Sequence, residues 1–227
     1  MKREIDDKTI LEKFAEDFCK IVEKHVRYII CSGFVAIVHG RARGTEDIDM
    51  IIQKLEKQKF VNLHKDLIKA GFVCIQSGNP ERIYEYLDNG SSVRYVIKSE
   101  GYFPPEMEIK FQKDSLDEEQ LKDRIKLPLT KLDIYFSSIE SNIACQEPPV
   151  TDWWHEDATL RVVLEHTQNS TSDSNHSSQT SGILMFKEEY LKSDKDLEDA
   201  KHLRIIYSSE IDENKINKIK EKIRILR

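Results

Sequence analysis

No run of this 227-residue sequence is apolar for long enough to span a bilayer, and its amino-terminal Met-Lys-Arg-Glu-Ile-Asp-Asp has no signal-peptide core. A helical membrane span is not expected, and the expected location is cytoplasmic. Cysteine is scarce. Cys19, Cys31, Cys74 and Cys145 are scattered without a Cys-x-x-Cys pair, and three of them sit inside apolar runs. That usage argues against a disulfide framework or a zinc site and for buried free thiols. Positive charge is in deficit: 35 Lys and Arg against 41 Asp and Glu give a formal net charge of -6. Wholesale nucleic-acid binding is thereby disfavoured, while a local basic face remains open. Hydrophobic residues make up 39% and charged residues 33% of a chain long enough for one substantial core, alone or with a helical appendage.

Against these absences one stretch carries dense information. Residues 28 to 52 begin with an apolar run that ends in Ser32-Gly33, continue through a short helix-compatible segment to Gly40, and pass a polar turn. Asp47-Ile48-Asp49 then opens a second apolar run. The order reads as strand, turn, helix, loop, strand. Alternate residues of a strand share a face, so Asp47 and Asp49 project together while Ile48 and Met50 point into the core. Two carboxylates side by side repel, and a divalent cation with a preference for oxygen ligands is what neutralises such a pair.

The stretch resembles the signature of the DNA polymerase beta superfamily of nucleotidyltransferases, in its small bacterial and archaeal type related to the abortive-infection nucleotidyltransferases. Members carry a small-residue pair and, after about ten residues, an acid-apolar-acid triplet. Ser32-Gly33 stands where Gly-Gly or Gly-Ser is usual, and Arg43, Thr45 and Glu46 before Asp47 fit a subgroup with an Arg-x-Thr-x-Asp-x-Asp run. A rival register with Gly40-Arg41 as the small pair leaves no room for the intervening helix. The resemblance implies Mg2+- or Mn2+-dependent transfer of an NMP group from an NTP, ATP among them, to an acceptor that the sequence does not name: a small molecule, an RNA end or a protein. Asp47 and Asp49 are the implied metal ligands, and Ser32, Gly33, Arg43 and Thr45 the implied nucleotide side. Physically, free backbone N-H groups after Gly33 suit a triphosphate, and in-line phosphoryl transfer asks a protein mainly for positioning and charge neutralisation.

The superfamily also places a third acid on a neighbouring strand. Met107 to Gln112 alternates as a strand with Glu108 and Lys110 on its polar face, expected to follow a Val93 to Lys98 strand in a meander beside the Asp47 strand. Leu132 to Phe136 also reads as a strand and offers Asp133 as a competitor. Glu108 is preferred as catalytic and metal-binding acid, because Ser138-Ile139-Glu140 after the second run looks like the start of a helix.

Elsewhere, residues 6 to 27 read as an amphipathic helix with Asp6 or Asp7 as its N-cap, and Phe60 to Ala70 as a helix closed by Gly71. Asn79-Pro80 starts a short helix. Residues 166 to 182 are almost wholly polar and read as a flexible loop. Trp153-Trp154 reads as packing. From Phe186 the pattern turns helical, and Lys195-Asp196-Leu197-Glu198-Asp199-Ala200-Lys201-His202-Leu203 resembles a helix near the C-terminus of the same small nucleotidyltransferases, which points to Lys187, and less directly to Lys195 and Asp196, as nucleotide-binding. Ile211 to Arg227 closes the sequence as a basic amphipathic helix with Ile216, Ile219, Ile223 and Leu226 on its apolar stripe. The expected fold is α+β: a catalytic domain over 1–136, a mixed sheet with helices on one side, and a mainly helical part over 137–227. A non-catalytic nucleotide-binding relative or a toxin–antitoxin component is the alternative function, and a homodimer is an open oligomeric state.

Overall fold

The computed structural model of the chain describes residues 8–45, 47–98, 105–147 and 194–226. Expectations for Asp6, Asp7, Glu46, Trp153, Trp154, Lys187 and the polar segment 166–182 lie outside the described residues. Five strands form the sheet: β1 (Tyr28–Cys31), β2 (Asp47–Ile52), β3 (Phe72–Cys74), β4 (Val93–Ile97) and β5 (Glu106–Phe111). Their spatial order is β1-β2-β5-β4-β3, with β2 and β5 parallel and every other neighbouring pair antiparallel. A parallel pair needs a crossover. Here α3 (Lys57–Lys69), β3, α4 (Pro80–Asp88) and β4 supply it, and the meander β3-β4-β5 returns the chain to the flank of β2.

Strand alternation divides the sheet into two unlike faces. On one, Tyr28, Ile30, Ile48, Met50, Ile52, Phe72, Tyr95, Met107 and Ile109 meet α1 (Ile10–Val22), α3 and α4 in the main core. Phe18 of α1 stands edge-on to Phe72 with ring centroids 4.9 Å apart, and Phe60 of α3 edge-on to Phe111 at 6.2 Å. The other face is polar along most of its length, and a small cluster of Ile29, Ile51 and Leu121 covers only one part of it. Leu121 belongs to α5 (Ser115–Lys122), so the helices do not all lie on one side as the pattern suggests: α5 follows β5 closely and folds under the sheet. The architecture is α+β, a mixed sheet with flanking helices. Among the described residues no helix is long and apolar enough to cross a membrane.

The local signals account for most helix boundaries. Thr9, and not an earlier Asp, caps α1: its hydroxyl accepts from the Glu12 backbone N-H while Glu12 accepts from the Thr9 N-H at 2.6 Å. This reciprocal pair, worth about 1 kcal/mol, outcompetes an aspartate lacking a partner three residues on. Asn79 caps α4 with Pro80 in its first turn, and Gly71 takes φ +91° just past α3, the left-handed position that glycine tolerates. Leu132 to Phe136 is not a strand. Phe136 makes one bridge to Ile30 on the outer edge of β1 and one to Ile125, after which Ser138 caps α6 (Ile139–Gln146) and the chain leaves the sheet.

Beyond α6, α7 (Asp194–Ile206) and α8 (Glu213–Leu226) complete a helical layer in which α6 packs on both. Ile216, Ile219 and Ile223 of α8 are buried, whereas Leu226, expected on the same stripe, is exposed. At the junction Glu147 accepts from Arg204 of α7 at 2.5 Å and from Lys220 of α8 at 2.6 Å. Burial pushes the Glu147 carboxyl up, but these two cations outweigh it and hold its pKa below the ordinary value.

Candidate functional site

The polar face of the sheet gathers acids from two strands. Parallel register sets Asp47 opposite Glu106 and Asp49 opposite Glu108. Residues two apart on a strand are about 6.6 Å apart and neighbouring strands about 4.8 Å, so the four Cα atoms mark a small quadrilateral with every side chain on the same side. Asp49 is half-buried, and its carboxyl is pushed above the ordinary aspartate range, first by burial and then by the charges of Glu108 and Asp47. Lys110 and the Ser32 hydroxyl pull the other way.

Counter-charge comes from within the sheet. Arg94 lies opposite Glu108 across β4 and β5, and its Nε donates to Glu108 Oε2 at 3.0 Å and stands 3.7 Å from Glu106. Four carboxylates against Arg94 and Lys110 leave the face negative. Among the described residues no three His, Cys, Asp or Glu side chains are drawn together into a ready-made metal site. The donor set nevertheless suits a hard cation: oxygen ligands only, two carboxylates on one strand with two alongside, and one of them raised in pKa by burial and by its acidic neighbours.

The turn before α2 (Gly33–Val38) borders this face. Cys31 lies opposite Asp49, and Ser32 follows with φ 64° and ψ -148°, at the border of a region that glycine alone occupies freely. The position usually held by glycine in the resembled signature thus keeps a glycine-like backbone although it carries serine. Its N-H donates to Oδ1 of Asn142 on α6 at 3.2 Å. Asn142 is buried and fixed in turn by bonds from Nδ2 to the Ser137 hydroxyl at 2.8 Å and the Ser138 carbonyl at 3.0 Å. Burial pushes the Cys31 thiol up to about 12, so it is no thiolate nucleophile.

Gly33 has a close neighbour. A Cβ there would stand 2.8 Å from the guanidinium of Arg43, so the absent side chain makes room for that cation. Arg43 and Arg41 both pair with the wholly buried carboxylate of Asp199 on α7. Arg41 also donates to the Lys195 carbonyl at 2.9 Å, and His202 reaches the His39 carbonyl at 3.0 Å. Of the two roles open to Arg43, phosphate ligand and brace of the loop, the structure displays the second. Thr45 donates its hydroxyl to the Asp47 carbonyl at 3.0 Å and fixes the entry to β2.

Asp47, Asp49 and Glu108 therefore share one face, with Ser32 and Gly33 at its margin, while Asp133 stands apart. It is exposed beyond the outer edge of β1 and paired with Lys126. Sequence reasoning missed Glu106, Arg94 and Asn142 and did not single out Asp199. Glu106 was findable, since one more residue of the same alternation puts it beside Glu108. Arg94 was findable too, because Val93 and Tyr95 mark the opposite face. Asn142 and Asp199 gave no local signal.

No protein-family model matches the sequence, and no curated protein matches it. Among solved structures the chain is similar to antibiotic-resistance factor ANT(2'')-Ia at 8% identity and a TM-score of 0.43, over 94% of this chain and 90% of that one. It is similar to an antigenic nucleotidyltransferase-like protein from Paracoccidioides brasiliensis at 13% identity and a TM-score of 0.44, over 96% and 88% of the two chains. It is also similar to JHP933 from Helicobacter pylori at 15% identity and a TM-score of 0.39, over 94% and 93%.

Proposed function

We propose that this protein is a nucleotidyltransferase that moves an NMP group from an NTP to an acceptor nucleophile with the help of Mg2+ or Mn2+. One observation carries the reading: Asp47 and Asp49, which resemble the superfamily's acid triplet, lie in parallel register with Glu106 and Glu108 on a sheet face bordered by the Ser32-Gly33 turn. Asp47 and Asp49 are the residues that would hold a divalent cation, whose chemistry there would be to neutralise the triphosphate and polarise the phosphorus under attack. Ser32 orients Asp49 through its hydroxyl. Glu108, on release from Arg94, accepts the proton of the acceptor hydroxyl at its carboxylate. The resemblance assigns Thr45, Lys187 and Arg43 to the nucleotide side, and Arg43 serves it by bracing the turn at Gly33 through Asp199.

A second reading, nucleotide binding without turnover, draws support from the Arg94–Glu108 pair and from the guanidinium that already lies against Gly33. The two separate in one experiment. The chain is incubated with each α-labelled NTP, Mg2+ or Mn2+, and total cell RNA or protein, and the label is followed. Asp47→Asn and Asp49→Asn should each lower transfer at least ~100-fold, the equivalent of a few kcal/mol of lost charge stabilisation, with unchanged unfolding midpoints. Asp133→Asn should transfer as the parent does. Full transfer by either strand variant, with normal metal dependence, refutes the site.

A further inference from the structure

The acid face carries a counter-charge supplied by the chain itself. Arg94 sits on β4 directly across from Glu108, is half-exposed at its side chain, and touches Glu108 at 3.0 Å and Glu106 at 3.7 Å. Its guanidinium also feels the charge of Asp47 on the strand beyond. One side chain thus engages both carboxylates that β5 presents on this face. Lys110, two residues beyond Glu108 on the same face, is the other cation near these groups and favours Asp49. Among the described residues the ion pairs of Glu106 and Glu108 are those with Arg94, while Asp49 of β2 adds like charge beside Glu108.

We propose that Arg94 is an internal counter-ion that holds Glu108 when no divalent cation is present and must let go when one arrives. It is a positioning residue, acting through Glu108 rather than on the substrate. The inference rests on the reading of Asp47, Asp49 and Glu108 as metal-binding acids. Its physical basis is competition. A guanidinium on a carboxylate satisfies the same lone pairs that a metal needs, and it raises the local potential against a second positive charge. Because Arg94 is half-exposed, each of its contacts is a screened surface pair. Release is therefore easy, and the competition shows as a several-fold change in metal affinity rather than as an on-off effect. A chain that met its cation only together with nucleotide would gain from this arrangement, since the triphosphate offers Arg94 another anion.

The test is Mn2+ binding to the full-length protein, read as loss of the free-ion electron paramagnetic resonance signal. The parent is compared with Arg94→Gln, Arg94→Lys and Asp49→Asn, with unfolding midpoints as a folding control. Arg94→Gln should bind Mn2+ about 3- to 10-fold more tightly, the range expected from removing one or two screened ion pairs. Arg94→Lys should stay near the parent because it keeps the charge, and Asp49→Asn should bind more weakly than the parent. Unchanged or weaker binding by Arg94→Gln overturns the counter-ion role, as does Arg94→Lys binding as tightly as Arg94→Gln. If Asp49→Asn weakens binding while Arg94→Gln leaves it unchanged, the metal reading stands and only this inference falls. If neither the parent nor Arg94→Gln binds Mn2+, both fall.

Discussion

Ser32 offers a prediction whose sign, not only its size, is diagnostic. At an ordinary position, replacing alanine by glycine costs about 0.5–1 kcal/mol because glycine loses more backbone freedom on folding. Ser32 holds φ 64° and ψ -148°, where a Cβ is itself strained by about 1–3 kcal/mol. Ser32→Ala removes the hydroxyl contact to Asp49 but keeps the Cβ and the strain. Ser32→Gly removes the same contact and relieves the strain. The hydrogen-bond loss, about 1 kcal/mol, is common to both and cancels in the comparison. Relief less the entropic cost leaves the glycine variant more stable than the alanine variant by about 1 kcal/mol, or roughly 2–4 °C in Tm for a chain of this size. Urea unfolding followed by far-ultraviolet circular dichroism measures this, with equal m values as the check that both variants unfold from equally compact states. Should the alanine variant equal or exceed the glycine variant, the turn does not hold the backbone described, and the link from Asn142 through Ser32 to Asp49 loses its basis.

Two further outcomes are expected. Asp199→Asn keeps shape and loses the charge that both Arg41 and Arg43 face; breaking such a buried arrangement should destabilise the chain by about 3 kcal/mol, and a loss below about 0.5 kcal/mol in the same unfolding assay contradicts the clamp. Glu147 has a folded pKa below its unfolded one, so its contribution is fully present above the unfolded value of about 4.3 and fades as pH falls through the folded value. The stability gap between parent and Glu147→Gln should therefore be constant near neutrality and close below about pH 4, and a gap that widens on acidification contradicts the assignment.

What was legible in the sequence followed from short periods. Asp47 and Asp49 could be placed on one face because a strand repeats every two residues, and Glu108 because Met107, Ile109 and Phe111 declare the buried side. The place of β5 between β4 and β2 followed from the meander. Leu132 to Phe136 has the same alternation and failed as a strand, because its single bridge to Ile30 ends where Ser138 caps a helix. Alternation describes what a segment can do, whereas pairing depends on a partner edge of matching length. Asp199 was hidden for another reason. It sits in a run of charged residues where nothing local separates a solvated carboxylate from one that is buried, and only the arrival of Arg41 and Arg43 from more than 150 positions away makes the difference.

The braces of the turn also impose an order on the birth of the site. Ser32 waits for an acceptor 110 residues further along the chain, and Arg43 for a carboxylate 156 residues further along. At a synthesis rate of about 5–20 residues per second, the second wait lasts roughly 8–30 s on the ribosome. The acid-bearing strands and Arg94 emerge well before α7 does, so a nascent chain can lay down its carboxylates long before anything secures the glycine turn beside them. The site then closes late, by the arrival of helices that contribute no acid to it, and a chain released before α7 would carry the acids without the clamp that sets their border.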